Sequence, residues 1–108
     1  MTSHVLQVTT TVGSHDEARR LAHLLVDERL AACVQLVGPL ESTYRWQGAV
    51  QTEEEWLLVA KTTADRYDAF EARLLAEHPS DVPEVLAVPV TAGSETYLAW
   101  VAAETVSD

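Results

Sequence analysis

Proline and glycine are scarce and cysteine is almost absent: four Pro, four Gly and one Cys in 108 residues. With Cys33 alone, no disulfide can close within the chain, which suits a reducing compartment. Basic residues are few as well, 7 Lys and Arg against 17 Asp and Glu, for a net charge of -10. Nucleic acids and anionic membrane surfaces are bound mainly through Lys and Arg, so neither is expected as a partner. No apolar run approaches the roughly 18 residues of a membrane helix. The first residues, Met1-Thr2-Ser3-His4-Val5, show no basic n-region and no apolar core of a secretory signal. The expectation is a cytoplasmic, soluble protein. Also missing are a phosphate-binding glycine loop, a dinucleotide fingerprint and a G-x-S-x-G elbow, so the chain is not expected to be an enzyme. Neither C-x-x-C nor H-x-x-x-H occurs, and one chain holds no structural zinc signature.

Apolar residues make up 47% of the sequence, enough for one core, and the length fits a single domain over residues 1–108. Punctuation falls at regular places. Residues 4–11 are rich in β-branched types and read as a strand. Ser14 with Glu17 forms a capping box. Ala18, Leu21, Ala22 and Leu25 then form one face of a helix ending near Arg29. Two extended segments follow, 32–46 and 49–62, joined by a two-residue turn at Gln47-Gly48. Gly38-Pro39 marks a bulge or bend in the first. Thr62-Thr63 are expected to cap a second helix over about 64–77, with Tyr67, Phe70 and Leu74 facing inward. His78-Pro79 ends it. Pro83–Val90 reads as a fourth strand, and Gly93-Ser94 opens a third helix carrying Tyr97, Leu98, Trp100 and Val101. The order β-α-β-β-α-β-α predicts an α+β, ferredoxin-like sandwich, its helices on one face of a four-stranded antiparallel sheet.

The central hairpin is too long for its domain. Arms of roughly 14 residues at about 3.3 Å each reach on the order of 45 Å, against a radius of gyration of about 13 Å for a chain of this size. Its tip must project, and it carries Tyr44, Trp46 and Val50, with Trp56 nearby. Such a ribbon needs a partner, most simply another copy of the chain in a closed ring. The alternative is that Gly38-Pro39 folds the arm back.

Several segments match a known family. Glu28-Arg29-Leu30-Ala31-Ala32-Cys33-Val34 resembles the "ERLAACVN" segment of the CutA family. Tyr44-Arg45-Trp46-Gln47-Gly48 resembles its "Y-x-W-x-G" hairpin tip, and Lys61-Thr62-Thr63 its "KTT" signature. His78-Pro79 with Val82-Pro83-Glu84-Val85 resembles "HPYDVPEI". Gly93-Ser94 followed by Tyr97-Leu98-Ala99-Trp100 resembles the C-terminal "GS-x-x-YL-x-W" helix. The matches are collinear from about residue 5 to residue 101. The resemblance implies a ferredoxin-like homotrimer with the architecture of PII-type signalling proteins, and a link to tolerance of copper and other divalent cations. Gln35 stands where the family usually has Asn, and Ser80 where it usually has Tyr.

Against that background, Cys33 is a candidate soft-metal ligand for copper, or a small buried strand residue. His78 is a candidate metal ligand or base, or a residue placed by the helix end. Lys61 and Glu84 are candidates for a ligand cleft or an ion pair with each other. Tyr44 and Trp46 fall on one strand face and suit an interface. Glu53, Glu54 and Glu55 alternate faces, so all three cannot converge on one ion. A thiol–base–orienter set of Cys33, His78 and Glu84 across a subunit cleft is conceivable. The leading expectation is a trimeric divalent-cation tolerance protein that binds copper or a related metal. The second is a PII-like regulatory module that senses a small ligand between subunits.

Overall fold

The structure, a computed structural model, describes residues 4–107. The elements run β1 (Val5–Val12), α1 (His15–Asp27), β2 (Cys33–Trp46), β3 (Ala49–Thr63), a 3₁₀ turn (Ala64–Arg66), α2 (Tyr67–Glu77), β4 (Leu86–Pro89) and α3 (Glu95–Glu104). All strand pairs are antiparallel and the sheet order is β2-β3-β1-β4. That is the expected split β-α-β arrangement.

Local chemistry explains most boundaries. Ser14 Oγ accepts the Glu17 amide at 3.2 Å, and Asp16 and Glu17 place negative charge at the positive end of the α1 dipole. Arg29, at φ 59°, turns the chain out of the helix. The amides of Leu30 and Ala31 then bond back to the Leu25 carbonyl. The expected cap of the second helix is not formed. Thr63 makes no side-chain cap bond, and Thr62 is buried, donating its hydroxyl to the Leu30 carbonyl at 2.6 Å. A 3₁₀ turn takes up residues 64–66 instead, and α2 begins at Tyr67. The fourth strand is also shorter than Pro83–Val90. Only Leu86–Pro89 pair with β1, since residues 83–85 do not run beside it in register, and the Val90 amide still bonds the Val5 carbonyl past the strand's end.

Strand alternation separates two unlike faces. Val8 and Val12 of β1 and Leu58 and Ala60 of β3 point to α1 and α2, where they pack on Leu21, Leu25, Phe70 and Leu74. Arg20 and Arg73 tie the two helices together, both bonding Glu77, with Arg73 also on Glu28. The opposite face presents Thr9, Leu57, Val59, Val37, Leu86 and Val88 by register. The helices were expected on one face, yet α3 docks on this second one, covering only its end, where Val101 meets Val5 and Ala32. Tyr97 and Trp100 of α3 stay exposed.

β1 pairs with β3 only over Trp56–Thr63, so residues 49–55 project with β2 as a ribbon. The molecule measures 45 × 26 × 22 Å, with a radius of gyration of 14.5 Å. The arm does not fold back. Gly38-Pro39, joined by a cis peptide, shifts the register between Val37 and Leu40 while the strand continues. Gln47 (φ 50°) and Gly48 (φ 80°) form the turn, the positive-φ pair a type I′ hairpin requires. Gly38 lies flat on Trp56, and a Cβ there would stand 2.7 Å from Trp56 Cε3. The ring is held from its own side by His15, with centroids 4.5 Å apart.

Gly38→Ala should therefore destabilise the fold by about 1–3 kcal/mol. Gly13→Ala, where nothing lies within 4 Å of the added carbon, should cost clearly less. Urea unfolding of both variants checks the difference.

Candidate functional site

The sequence-derived residues fall into two places. At the end of the sheet under α3, Cys33 sits opposite Lys61 in the β2–β3 register. Cys33 Sγ lies 3.3 Å from Tyr97 Oη, and Lys61 Nζ donates to Gln35 Oε1 at 2.9 Å. Gln35, one of the two departures from the resembled pattern, thus takes the lysine. The expected Lys61–Glu84 ion pair is not among the described contacts, since Glu84 lies elsewhere, in the cleft below. Hydrogen bonding to Cys33 is the largest cause that pushes the Tyr97 phenol up to about 12, with partial desolvation adding to it. In the sequence Tyr97 stands out as a third-helix residue and as part of the resembled C-terminal motif, not as a partner of Cys33. Its spacing to Cys33 carries no sequence signal.

The second place is an open cleft of about 890 Å³ between the ribbon and the segment 79–84. Tyr44, Trp46, Glu53 and Glu55 line it from the ribbon, Thr11 from the end of β1, and Asp81 and Glu84 from the opposite wall. It lies over one face of the ribbon, where Ser42 and Tyr44 of β2 stand opposite Glu53 and Gln51 of β3. The Glu53 carboxylate beside the Tyr44 phenol raises its pKa, with smaller contributions from desolvation and Glu55. Glu54 points to the other side of the ribbon, as alternation requires. Asp81 was not singled out from sequence, because a lone carboxylate in a turn segment is usual.

His78 stands behind this cleft and is 8% exposed. Its backbone caps α2. Ring Nε2 is 2.8 Å from the Thr11 carbonyl, and Nδ1 is 3.1 Å from the Ser80 amide. A carbonyl only accepts and an amide only donates, so the ring is the neutral Nε2–H tautomer. Both nitrogens are engaged in the fold and neither is open to a metal. Cys33 and His78 are also far apart. Cys33 pairs with Lys61, while Thr11, which binds His78, pairs with Leu57. Four residues of β3 separate these positions, about 13 Å at the strand rise. Among the described residues no three His, Cys, Asp or Glu side chains group to hold a metal ion. The residues of one chain therefore do not fit a copper site, and the Cys33–His78–Glu84 set is not assembled within it.

An α+β domain with one uncovered sheet face, a projecting ribbon and a polar cleft at its root is the class of protein these observations define. The model of the family "CutA1 divalent ion tolerance protein" matches residues 6–104, and the chain belongs to that family. The divalent-cation tolerance protein CutA of Thermus thermophilus is 47% identical over 93 residues, 86% of this chain and 90% of that one. Human protein CutA is 39% identical over 100 residues, and the match spans 91% of this chain but 56% of the human protein. The solved T. thermophilus structure superposes with a TM-score of 0.92 at 44% identity, covering 94% of this chain and 99% of that one. CutA1 from Oryza sativa superposes at 0.94 with 40% identity, covering 99% and 98%.

Replacing Cys33 by Ala should return the late-ionising tyrosine to the ordinary range near 10, read by absorbance of the phenolate during an alkaline titration. The stability sign follows. Between about pH 10 and 12 the unfolded Tyr97 has lost its proton while the folded one keeps it. Native stability is therefore intact below about pH 10 and falls as pH rises to 12. This fall should be smaller in Cys33→Ala.

Proposed function

We propose that the chain acts as a homotrimeric divalent-cation tolerance protein of the cytoplasm, with trimer formation burying the uncovered sheet face. The observation that carries this reading is the exposure of that face. Val37, Leu86 and Val88 are 50%, 61% and 53% exposed and adjoin the half-buried Leu57 and Val59. A sheet with apolar side chains on both faces needs a cover on each. The ribbon adds Tyr44 and Trp46, also exposed. A second copy is the simplest cover, and cyclic closure satisfies every copy equally. The number three comes from the family resemblance.

The names of the relatives support divalent cations as the ligand class. The net charge of -10 raises the local concentration of any cation. Copper is the candidate that Cys33 would suit as a soft donor. Since one copy does not bring three donors together, a defined site requires donors from more than one copy. A PII-like regulatory role is the second reading, favoured by the cleft at the ribbon root, which offers both aromatic and polar walls.

Light scattering should give three times the 11.9 kDa chain mass, and Leu86→Glu with Val88→Glu should give a smaller species. A monomeric wild type would sink the trimer. Calorimetric copper titration should show saturable binding at a fixed number of sites per trimer, lost in Cys33→Ser. Non-saturating binding that survives the substitution would reduce the metal role to diffuse charge. A thermal-shift screen of metabolites would then test the regulatory reading.

A further inference from the structure

We propose that the cleft of one copy is completed by the ribbon tip of the next, with Arg45 of the incoming ribbon seated between the cleft's aromatic and acidic walls. The contact rests on the trimeric reading above and would be the one that closes the ring. Glu53, Glu55, Asp81 and Glu84 line the cleft, and no lysine or arginine does. Tyr44 and Trp46, 37% and 36% exposed, share the ribbon face of Glu53 and Glu55. Aromatic rings beside carboxylates suit a guanidinium, which stacks on the first and forks onto the second.

The chain has one cation placed for this role. Of its 7 Lys and Arg, Arg20, Arg29 and Arg73 are in ion pairs. Lys61 donates to Gln35, and Arg66 to the Arg29 carbonyl. Arg19 and Arg45 are exposed and have no partner among the described residues. Arg19 lies on α1, against the body. Arg45 stands two residues before the ribbon turn, at the end that projects. Alternation turns it to the face opposite Tyr44 and Trp46, so it does not serve the cleft of its own copy. Glu41 and Glu54 share its face but lie four residues back along the strands, about 13 Å, and make no ion pair with it. A threefold ring cannot be built from one patch that meets itself. It needs two different patches that fit each other. A basic projecting tip and an acidic cleft are such a pair. The cleft face is also continuous with the uncovered sheet face, because Glu53 and Glu55 alternate in line with Leu57 and Val59 along β3. One closure therefore covers the apolar face and neutralises the cleft.

Light scattering of the full chain over a dilution series tests the contact, in the wild type, Arg45→Glu, Arg19→Glu, and Arg45→Glu with Glu84→Arg. All three positions are exposed, so the fold of one copy is not at stake. Arg45→Glu should raise the concentration at which half the trimer dissociates by more than about tenfold, since like charges then meet at every contact. Arg19→Glu makes the same change in net charge away from the cleft and should stay within about twofold. The double reversal should return the midpoint to within about threefold of the wild type. If the wild type stays trimeric at every dilution, disulfide capture decides. Arg45→Cys with Glu84→Cys, in a Cys33→Ser background, should give covalent trimers on oxidation, whereas either cysteine alone can link only two chains. A monomeric wild type would sink the trimer and the contact with it. A trimer that Arg45→Glu weakens no more than Arg19→Glu, or whose two-cysteine form gives no covalent trimer, overturns the contact alone. The assembly then stands with its cleft open to a small cation.

Discussion

β1 has 8 residues and β3 has 15, and most of the molecule's distinctive features follow from that mismatch in one antiparallel pairing. The ladder closes over Trp56–Thr63, and there the strands share a core with both helices. Beyond Val12 the chain turns away at Gly13 to start α1. β3 and β2 continue without that neighbour, which leaves a projecting two-stranded ribbon. The segment after α2 lines the cleft opposite one face of that ribbon on its way to β4. The cleft is therefore a direct consequence of strand lengths. Its walls are polar because a ribbon in water and a solvent-exposed turn segment carry polar side chains on both sides.

The ribbon needs a hinge that does not break pairing, and Gly38 supplies it. The strand must cross the Trp56 ring at van der Waals distance while its register slips past Pro39. Trp56 in turn rests on His15 from α1. The angle at which the ribbon leaves the body is thus tied to the body's first helix. A movement of the ribbon would be felt at the α1 N-terminus and not only at its tip.

The fold was legible in sequence where residue chemistry is local. The Ser14–Glu17 cap, the Gln47-Gly48 turn and the 3.6-residue spacing of α1 each follow from short-range rules. The length of the hairpin likewise required projection by simple geometry. Thr62 misled because a threonine before a helix is usually a cap. Here the Leu30 carbonyl, 32 residues away, takes its hydroxyl, and no local rule contains that contact. β4 came out shorter than its apolar run because pairing depends on where β1 lies. The site was less legible. Tyr44, Trp46 and Glu84 do share the cleft. Cys33 and Lys61 belong to the other end of the sheet, and their partners Tyr97 and Gln35 come from 64 and 26 residues away. Spacing along a chain does not report such pairs.

Separation of the candidate donors along the sheet bears on how any member of this architecture would handle a cation. The soft donor, Cys33, lies at the α3 end on the uncovered face. The oxygen donors Glu53, Glu55, Asp81 and Glu84 lie around the cleft at the ribbon end. His78, between them in type, is closed off by Thr11 and Ser80. A single copy therefore offers soft sulfur and hard oxygen in different places and concentrates neither into a coordination sphere. Metals are discriminated by ligand type and geometry, so selectivity has to come from what is brought against each place. The uncovered face carries Cys33 on it and the proposed assembly would close over that face. Assembly, more than the single fold, is the level at which a specific cation site would be made.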